Sequence, residues 1–266
     1  MFAFSVFIQY NEAKGSDRLE LNIWLILALI GVGAGAAFIQ RVSGFGSGIF
    51  SMLLLPYLFG NTVTAAAVSG MWSTATTVFN AIRHRNYIDF KLILPIIIPA
   101  MLMVTLSVQW SKSVSSGIMM IILGGVLILL SIYFLLFSQK LRLKASLPGG
   151  IAIGTMGGVL SGLFSTGGPP VVLYLSGIIS DKHIYFATIQ GYFAITDLYG
   201  MGTRIFSGII TWQVLLYAAI GWIGSLIGNT LGGLVFNKIN GQSLKKIIYI
   251  GMIISGMIMI LKELLR

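Results

Sequence analysis

The chain has 266 residues, of which 56% are hydrophobic and only 9% charged, with a formal net charge of +10. Soluble domains carry roughly 25% charged residues, so a mean hydropathy of +0.94 excludes a soluble globular enzyme, a disordered tail and a nucleic-acid binder. The basic residues fall in short clusters between apolar runs, as in the loops of a membrane protein whose cytoplasmic side is rich in Lys and Arg.

The first eight residues, MFAFSVFI, lack a basic leader and a small-residue cleavage site, and a polar stretch follows them. Residues 1–20 therefore read as a short extramembrane arm rather than a cleaved leader. A helical crossing of the ~30 Å hydrocarbon core needs roughly 20 apolar residues. The apolar runs are Leu21–Ile39, Gly46–Phe59, Thr62–Ile82, Leu92–Trp110, Gly117–Phe137, Gly149–Phe164, Pro169–Ile179, Ile184–Phe206, Thr211–Phe236 and Leu244–Leu261. None alternates as a barrel strand would. The runs 46–59, 149–164 and 169–179 are short, and each borders a glycine-rich break. With no cysteine there is no disulfide and no thiolate metal site, and no other cluster has metal-ligand spacing.

A shift of about 120 residues lays Ser43–Gly48 on Gly162–Gly168, Ala67 on Ala187 and Arg83 on Arg204. The predicted fold is thus an all-α polytopic membrane bundle of two repeats, residues 21–138 and 149–266, joined by a basic cytoplasmic linker at 139–148. Each repeat has four or five membrane helices, depending on whether the two helices around its break cross once together or separately. Both schemes put eleven of the 17 Lys and Arg inside, so charge does not choose. Length favours separate crossings, since 21–59 as one helix would be about 58 Å long. Five crossings per repeat would invert the second against the first.

Glycines recur every four residues at 150, 154, 158 and 162 and at 224, 228 and 232, stripes that let helix backbones approach closely in lipid. Trp24, Trp110 and Trp212 lie near span ends, as interfacial rings do, whereas Trp72 and Trp222 lie inside spans as packing residues. Gly31-Val-Gly-Ala-Gly-Ala36 matches a loose dinucleotide pattern, but it sits in an apolar helix with no strand before it. There is no Walker A motif, and the two histidines at span edges are badly placed to activate Ser47 or Ser165.

The breaks are the chemical feature. Irregular backbone at membrane depth is tolerated where it is buried in protein or lines a wet cavity. A short helix starting there offers free N–H groups and a partial positive charge to an anion. Ser43, Gly44, Gly46, Ser47 and Gly48 of the first break, and Ser165, Thr166, Gly167, Gly168 and Pro169 of the second, are the candidate substrate-binding residues. Two interrupted segments at matching places in two halves point to a transporter's central site; the plainer reading is a pair of kinks. Arg41 is the candidate cationic partner of the anion. Asp197, inside a span, is either a proton or cation coupling site or a hydrogen-bonded structural carboxylate. Arg204 shares its face but lies about 10 Å along the helix, too far to pair with it, and reads as an anchor for a helix end in preference to an anion ligand.

The paired motifs, Gly44-Phe-Gly-Ser-Gly-Ile-Phe-Ser-Met-Leu-Leu-Leu-Pro56 and Gly158-Val-Leu-Ser-Gly-Leu-Phe-Ser-Thr-Gly-Gly-Pro-Pro170, resemble those of the TauE/SafE sulfite-exporter family. The resemblance covers most of residues 21–262. It implies a multi-pass secondary transporter of the cytoplasmic membrane for sulfite, organosulfonates or related sulfur-containing anions, without a cofactor. Ser47 stands where many members carry glycine, and Pro169-Pro170 where a further glycine is common, which touches the choice of substrate. The expected partners are a small anion and the lipid bilayer, with proton coupling and homo-oligomerisation both open. The competing reading is a passive anion channel or a non-transporting membrane partner subunit.

Overall fold

The computed structural model describes residues 22–43, 45–137, 145–235 and 241–265. Within them lie ten α-helices and no strand: α1 (Ile23–Ser43), α2 (Ser47–Phe59), α3 (Thr62–Arg83), α4 (Phe90–Ser113), α5 (Ser116–Phe137), α6 (Leu147–Phe164), α7 (Gly168–Ile178), α8 (Lys182–Phe206), α9 (Trp212–Val235) and α10 (Gly241–Leu264). Every apolar run of the sequence becomes one of them. The predicted N-terminal arm lies outside the described residues, as does most of the linker, except that α6 already begins at Leu147 with Pro148 in its first turn.

Helix starts follow ordinary capping chemistry. Asn61 accepts from the N–H groups of Val63 and Thr64, Asp89 from Lys91 and Leu92, Ser146 from Gly149, and Asp181 from His183 and Ile184. These caps explain why α4, α6 and α8 begin two residues before the apolar runs do. Gly60, at φ 63°, ends α2 in the left-handed conformation that glycine tolerates.

Five described helices, α1, α4, α5, α6 and α9, are long and apolar enough to cross a membrane. Helix α4 shows what faces the lipid: Leu94, Ile98, Leu102 and Leu106 form an exposed stripe at four-residue spacing. The more polar α3 and α8 pack on each other at the centre, with Thr77, Thr74, Thr188 and Gln190 buried.

The glycine stripes decide the packing. A Cβ on Gly224 would run into the carbonyl oxygen of Ile30, and one on Gly228 into that of Ala34, so α9 and α1 lie backbone to backbone and run in the same direction. Helices α6 and α4 repeat the arrangement. A Cβ on Gly150 would sit 2.7 Å from Pro95 Cβ, one on Gly158 2.5 Å from the Ala100 carbonyl oxygen, and one on Gly162 2.6 Å from Ser107 Cβ. The glycine groove thereby takes up the bulk of a helix that contains two prolines, Pro95 and Pro99. By contrast, α3 runs against α8: Ser73 and Thr77 meet Asp197 while Thr188 meets Asp89. Helices α5 and α10 are also antiparallel, with Gly124 against Gly256 and Ser131 against Tyr249.

Exchanging the halves therefore maps α1–α9 packing onto α6–α4 packing, and α3–α8 and α5–α10 onto themselves. At one end of the bundle the α3–α4 connection, the start of α6 and the α7–α8 connection meet. Tyr174 Oη accepts from Ser146 N at 3.0 Å, and His84 stacks edge-on against Phe186 at 5.3 Å between ring centroids. Arg85 lies in the α3–α4 connection, and Arg83, Lys91 and Lys182 lie in the adjoining helix ends. Trp24, Trp110 and Trp212, all exposed, mark the opposite end. Trp72 is buried, and its indole N–H donates to the Ala218 carbonyl at 3.0 Å.

Candidate functional site

The two breaks meet. There is no space for a side chain on Gly48 at the start of α2, because its Cβ would fall on the carbonyl oxygen of Ser165 in the other break. Across the same contact a Cβ on Gly168 would lie 3.2 Å from Phe193 Cζ and 4.0 Å from Phe45 Cβ. Gly46, Ser47, Gly48, Ser165, Thr166, Gly167, Gly168 and Pro169 all line one cavity, together with Gln40, Ser73, Phe193 and Asp197. It is water-sized.

Both breaks are conformationally unusual. Gly46 has φ 99°, which only glycine adopts readily. Ser165 is the sole described non-glycine residue with positive φ, at 54°. It terminates α6 in the left-handed position that glycine ordinarily fills. Its side chain holds it there: Oγ donates to the Ala66 carbonyl on α3 at 2.7 Å and accepts from Arg204 Nη2 at 3.1 Å.

Neither short helix has a side-chain cap at its start, unlike α3, α4, α6 and α8. The first N–H groups of α2 thus lack an intrahelical acceptor and a capping oxygen. In α7 the donors are fewer, because Pro169 and Pro170 have no N–H. Pro169 can shape the cavity but not bond through its nitrogen. Two buried polar atoms at this cavity, Thr166 Oγ1 and Gln40 Oε1, have no hydrogen-bond partner, although each residue is only 3% exposed. Polar atoms so deeply buried are costly to leave unpaired.

A second small cavity adjoins the first, sharing Ser161, Ser165 and Asp197 as a common wall. Asp197 accepts from Ser73 Oγ at 2.8 Å and Thr77 Oγ1 at 3.2 Å, both on α3. Arg204, 6% exposed, gives Nη2 to the carbonyls of Ser161 at 2.8 Å and Gly162 at 2.9 Å, so it anchors the end of α6 rather than that of its own helix. The acceptors of Arg204 are thus on α6 and those donating to Asp197 on α3, in keeping with the spacing of the two residues along α8.

Arg41 is placed differently from the sequence expectation. It lies in the last turn of α1, its Cβ and Cγ packed on Gly232 of α9, and it lines neither cavity. The helix continues past Ile39, so Arg41 is turned out of the break. Gly44 and the side chain of Ser43 lie outside the described residues. Gln40, one residue earlier, which the sequence offers with Asn80 and Gln190 as a weaker candidate for lining a polar path, is a cavity residue. Among the described residues there is no group of three or more His, Asp or Glu that would hold a metal.

The family model described as "Sulfite exporter TauE/SafE" matches residues 27–259, nearly the whole bundle. The chain belongs to the TauE/SafE family. It is a multi-pass membrane protein from a family of membrane transporters. It is also similar to the "Probable sulfite/organosulfonate exporter TauE" of Cupriavidus necator, at 27% identity over 156 residues. That match takes in 56% of this chain and 60% of the relative's length. No solved structure matches the chain.

Proposed function

We propose that this protein is a carrier that exports a small sulfur oxyanion, sulfite or an organosulfonate, across the cytoplasmic membrane, holding it between the two breaks. The carrying observation is the shared cavity, where the uncapped start of α2 meets the unpartnered Thr166 hydroxyl and Gln40 amide oxygen. A tetrahedral or pyramidal oxyanion presents several acceptors at once, which suits N–H and O–H donors converging from two sides. The Gln40 amide serves an anion once its NH2 faces the cavity, an orientation set by the hydrogen-bond network.

The halves are two copies of one unit in inverted topology. Antiparallel α3–α8 and α5–α10, with parallel α1–α9 and α4–α6, support this reading, since four crossings per half would leave α3 and α8 pointing the same way. The end bearing Arg83, Arg85, Lys91 and Lys182 is cytoplasmic. The breaks form one of the contacts between the halves, and their cavity is too small for a sulfonate, so the breaks must part to admit it and close behind it. That is alternating access.

The test is counterflow in proteoliposomes: preloaded unlabelled sulfite or taurine should accelerate entry of the labelled anion, as in a carrier. Flux that is not trans-stimulated would identify a channel, and no flux at all a partner subunit.

A further inference from the structure

We infer that Arg204 is the cationic ligand of the transported anion, in the second chamber beside the breaks; this rests on the anion-carrier reading above. Arg204 is a buried guanidinium whose two ends have different fates. Nη2 is consumed by three acceptors, the carbonyls of Ser161 and Gly162 and the Ser165 hydroxyl. Nη1 makes no such bond and faces the space between α3, α4 and α8. Two glycines keep that space open: a Cβ on Gly200 would stand 3.1 Å from Nη1, and one on Gly70 3.8 Å. Ala67, Val104 and Thr196 are also part of the wall. A fork-shaped donor with one arm fixed and the other free is held ready for an oxyanion.

Charge balance gives Asp197 its part. It is part of the wall between the chambers, half-buried beside the buried Arg204. The titratable groups around it are Arg204 and Tyr192, both on α8. From α3 come only the hydroxyls of Ser73 and Thr77, from α1 the Gln40 amide, and from the breaks hydroxyls and amides. With Asp197 ionised the pair is neutral, and a monovalent anion would add an uncompensated buried charge. A proton taken from the bulk by the Asp197 carboxylate restores neutrality as the anion settles on Arg204, and it leaves again when the anion does.

The experiment is calorimetric titration of the full-length purified protein with ethanesulfonate, an anion that stays ionised and so takes up no proton itself. Comparing buffers of different ionisation enthalpy reads protons bound per anion. Wild type should take up close to one proton. Arg204→Gln should weaken binding at least about tenfold. Because Arg204 also holds α6, Gly200→Ala is the companion variant: it narrows the space at Nη1, leaves the Nη2 bonds, and should weaken binding with the melting temperature preserved. Asp197→Asn should bind without proton uptake. If Arg204→Gln and Gly200→Ala are folded and bind like wild type while Thr166→Val does not bind, the role of Arg204 is refuted and the break site stands. If Thr166→Val binds normally and the Arg204 and Gly200 variants fail, the break site falls and Arg204 stands. Wild type that binds no ethanesulfonate overturns both, and proton uptake that persists in Asp197→Asn removes the carboxylate from the mechanism.

Discussion

Thr77 and Asp197 touch where α3 and α8 cross, Thr77 Oγ1 lying 3.2 Å from Asp197 Oδ2, and they stand 120 residues apart. One helix thus brings a hydroxyl and the other a carboxylate to this crossing. Ser73 adds a shorter bond of 2.8 Å to the same oxygen. A half-buried carboxylate stripped of such donors is left under-solvated, and a hydrogen bond to a charged group is worth about 1.5–3 kcal/mol. Ser73→Ala and Thr77→Val should each lower the melting temperature of the detergent-purified protein. Asp197→Ala in the Ser73→Ala background should recover part of that loss, because the stranded charge is gone. Additive losses in the double variant would show that the bond is not what stabilises this crossing.

The α1–α9 seam offers a sharper packing test. A methyl on Gly228 would occupy the place of the Ala34 carbonyl oxygen, and neither backbone can retreat without opening the whole stripe. Gly228→Ala should therefore destabilise by about 1–3 kcal/mol, the usual cost of overpacking. At Gly31 and Gly125 an added methyl would meet nothing within 4 Å, so Gly31→Ala and Gly125→Ala should melt at or slightly above the wild-type temperature. Thermal unfolding followed by circular dichroism in one detergent separates the two classes.

Much of this architecture is legible in the residues. Ten apolar runs give ten helices, because burial in lipid leaves the backbone no other way to satisfy itself. The four-residue glycine stripes mark the two closest helix pairs, since only absent side chains allow that approach. Capping residues such as Asp89 and Asp181 lie outside the apolar runs, which is why α4 and α8 start earlier than hydropathy indicates. At the site, the glycine breaks are visible as breaks, but which charge faces them is not. Arg41 follows one apolar stretch and Arg204 lies near the end of another, and only the helical rotation sends one onto Gly232 and the other into the chamber wall. Ser165 carries a left-handed backbone under a residue type that does not advertise it, because the bonds holding it come from α3 and α8.

At the basic end of the bundle Asp181 caps α8, accepting from His183 N at 2.8 Å and Ile184 N at 2.9 Å. The Ile184 N–H is the main cause that holds this carboxyl below its ordinary range, with His183 adding to it. A lowered folded-state pKa means that the cap's contribution is complete above the unfolded value and fades as pH falls through the folded one. The melting temperature should thus decline in acid, and the decline should be shallower in Asp181→Asn, whose amide oxygen accepts the same two bonds without titrating. Identical pH profiles for the two proteins would show that this cap does not contribute to the acid response.

The break contact itself is tested most directly at Gly48 and Gly168. These positions differ in what a side chain would meet. At Gly48 it meets backbone, the Ser165 carbonyl, so even Gly48→Ala must push the two breaks apart. At Gly168 it meets the Phe193 ring at 3.2 Å, so alanine can be absorbed by a small ring movement, but leucine must fill the cavity. Gly48→Ala and Gly168→Leu should abolish sulfite efflux from proteoliposomes while membrane insertion and detergent elution stay as in wild type, and Gly168→Ala should keep most of the rate. The graded pair at Gly168 separates occupation of the cavity from general disruption of α7. Full transport in Gly48→Ala would mean that the two breaks need not touch during the cycle, and full transport in Gly168→Leu that the anion travels by another route.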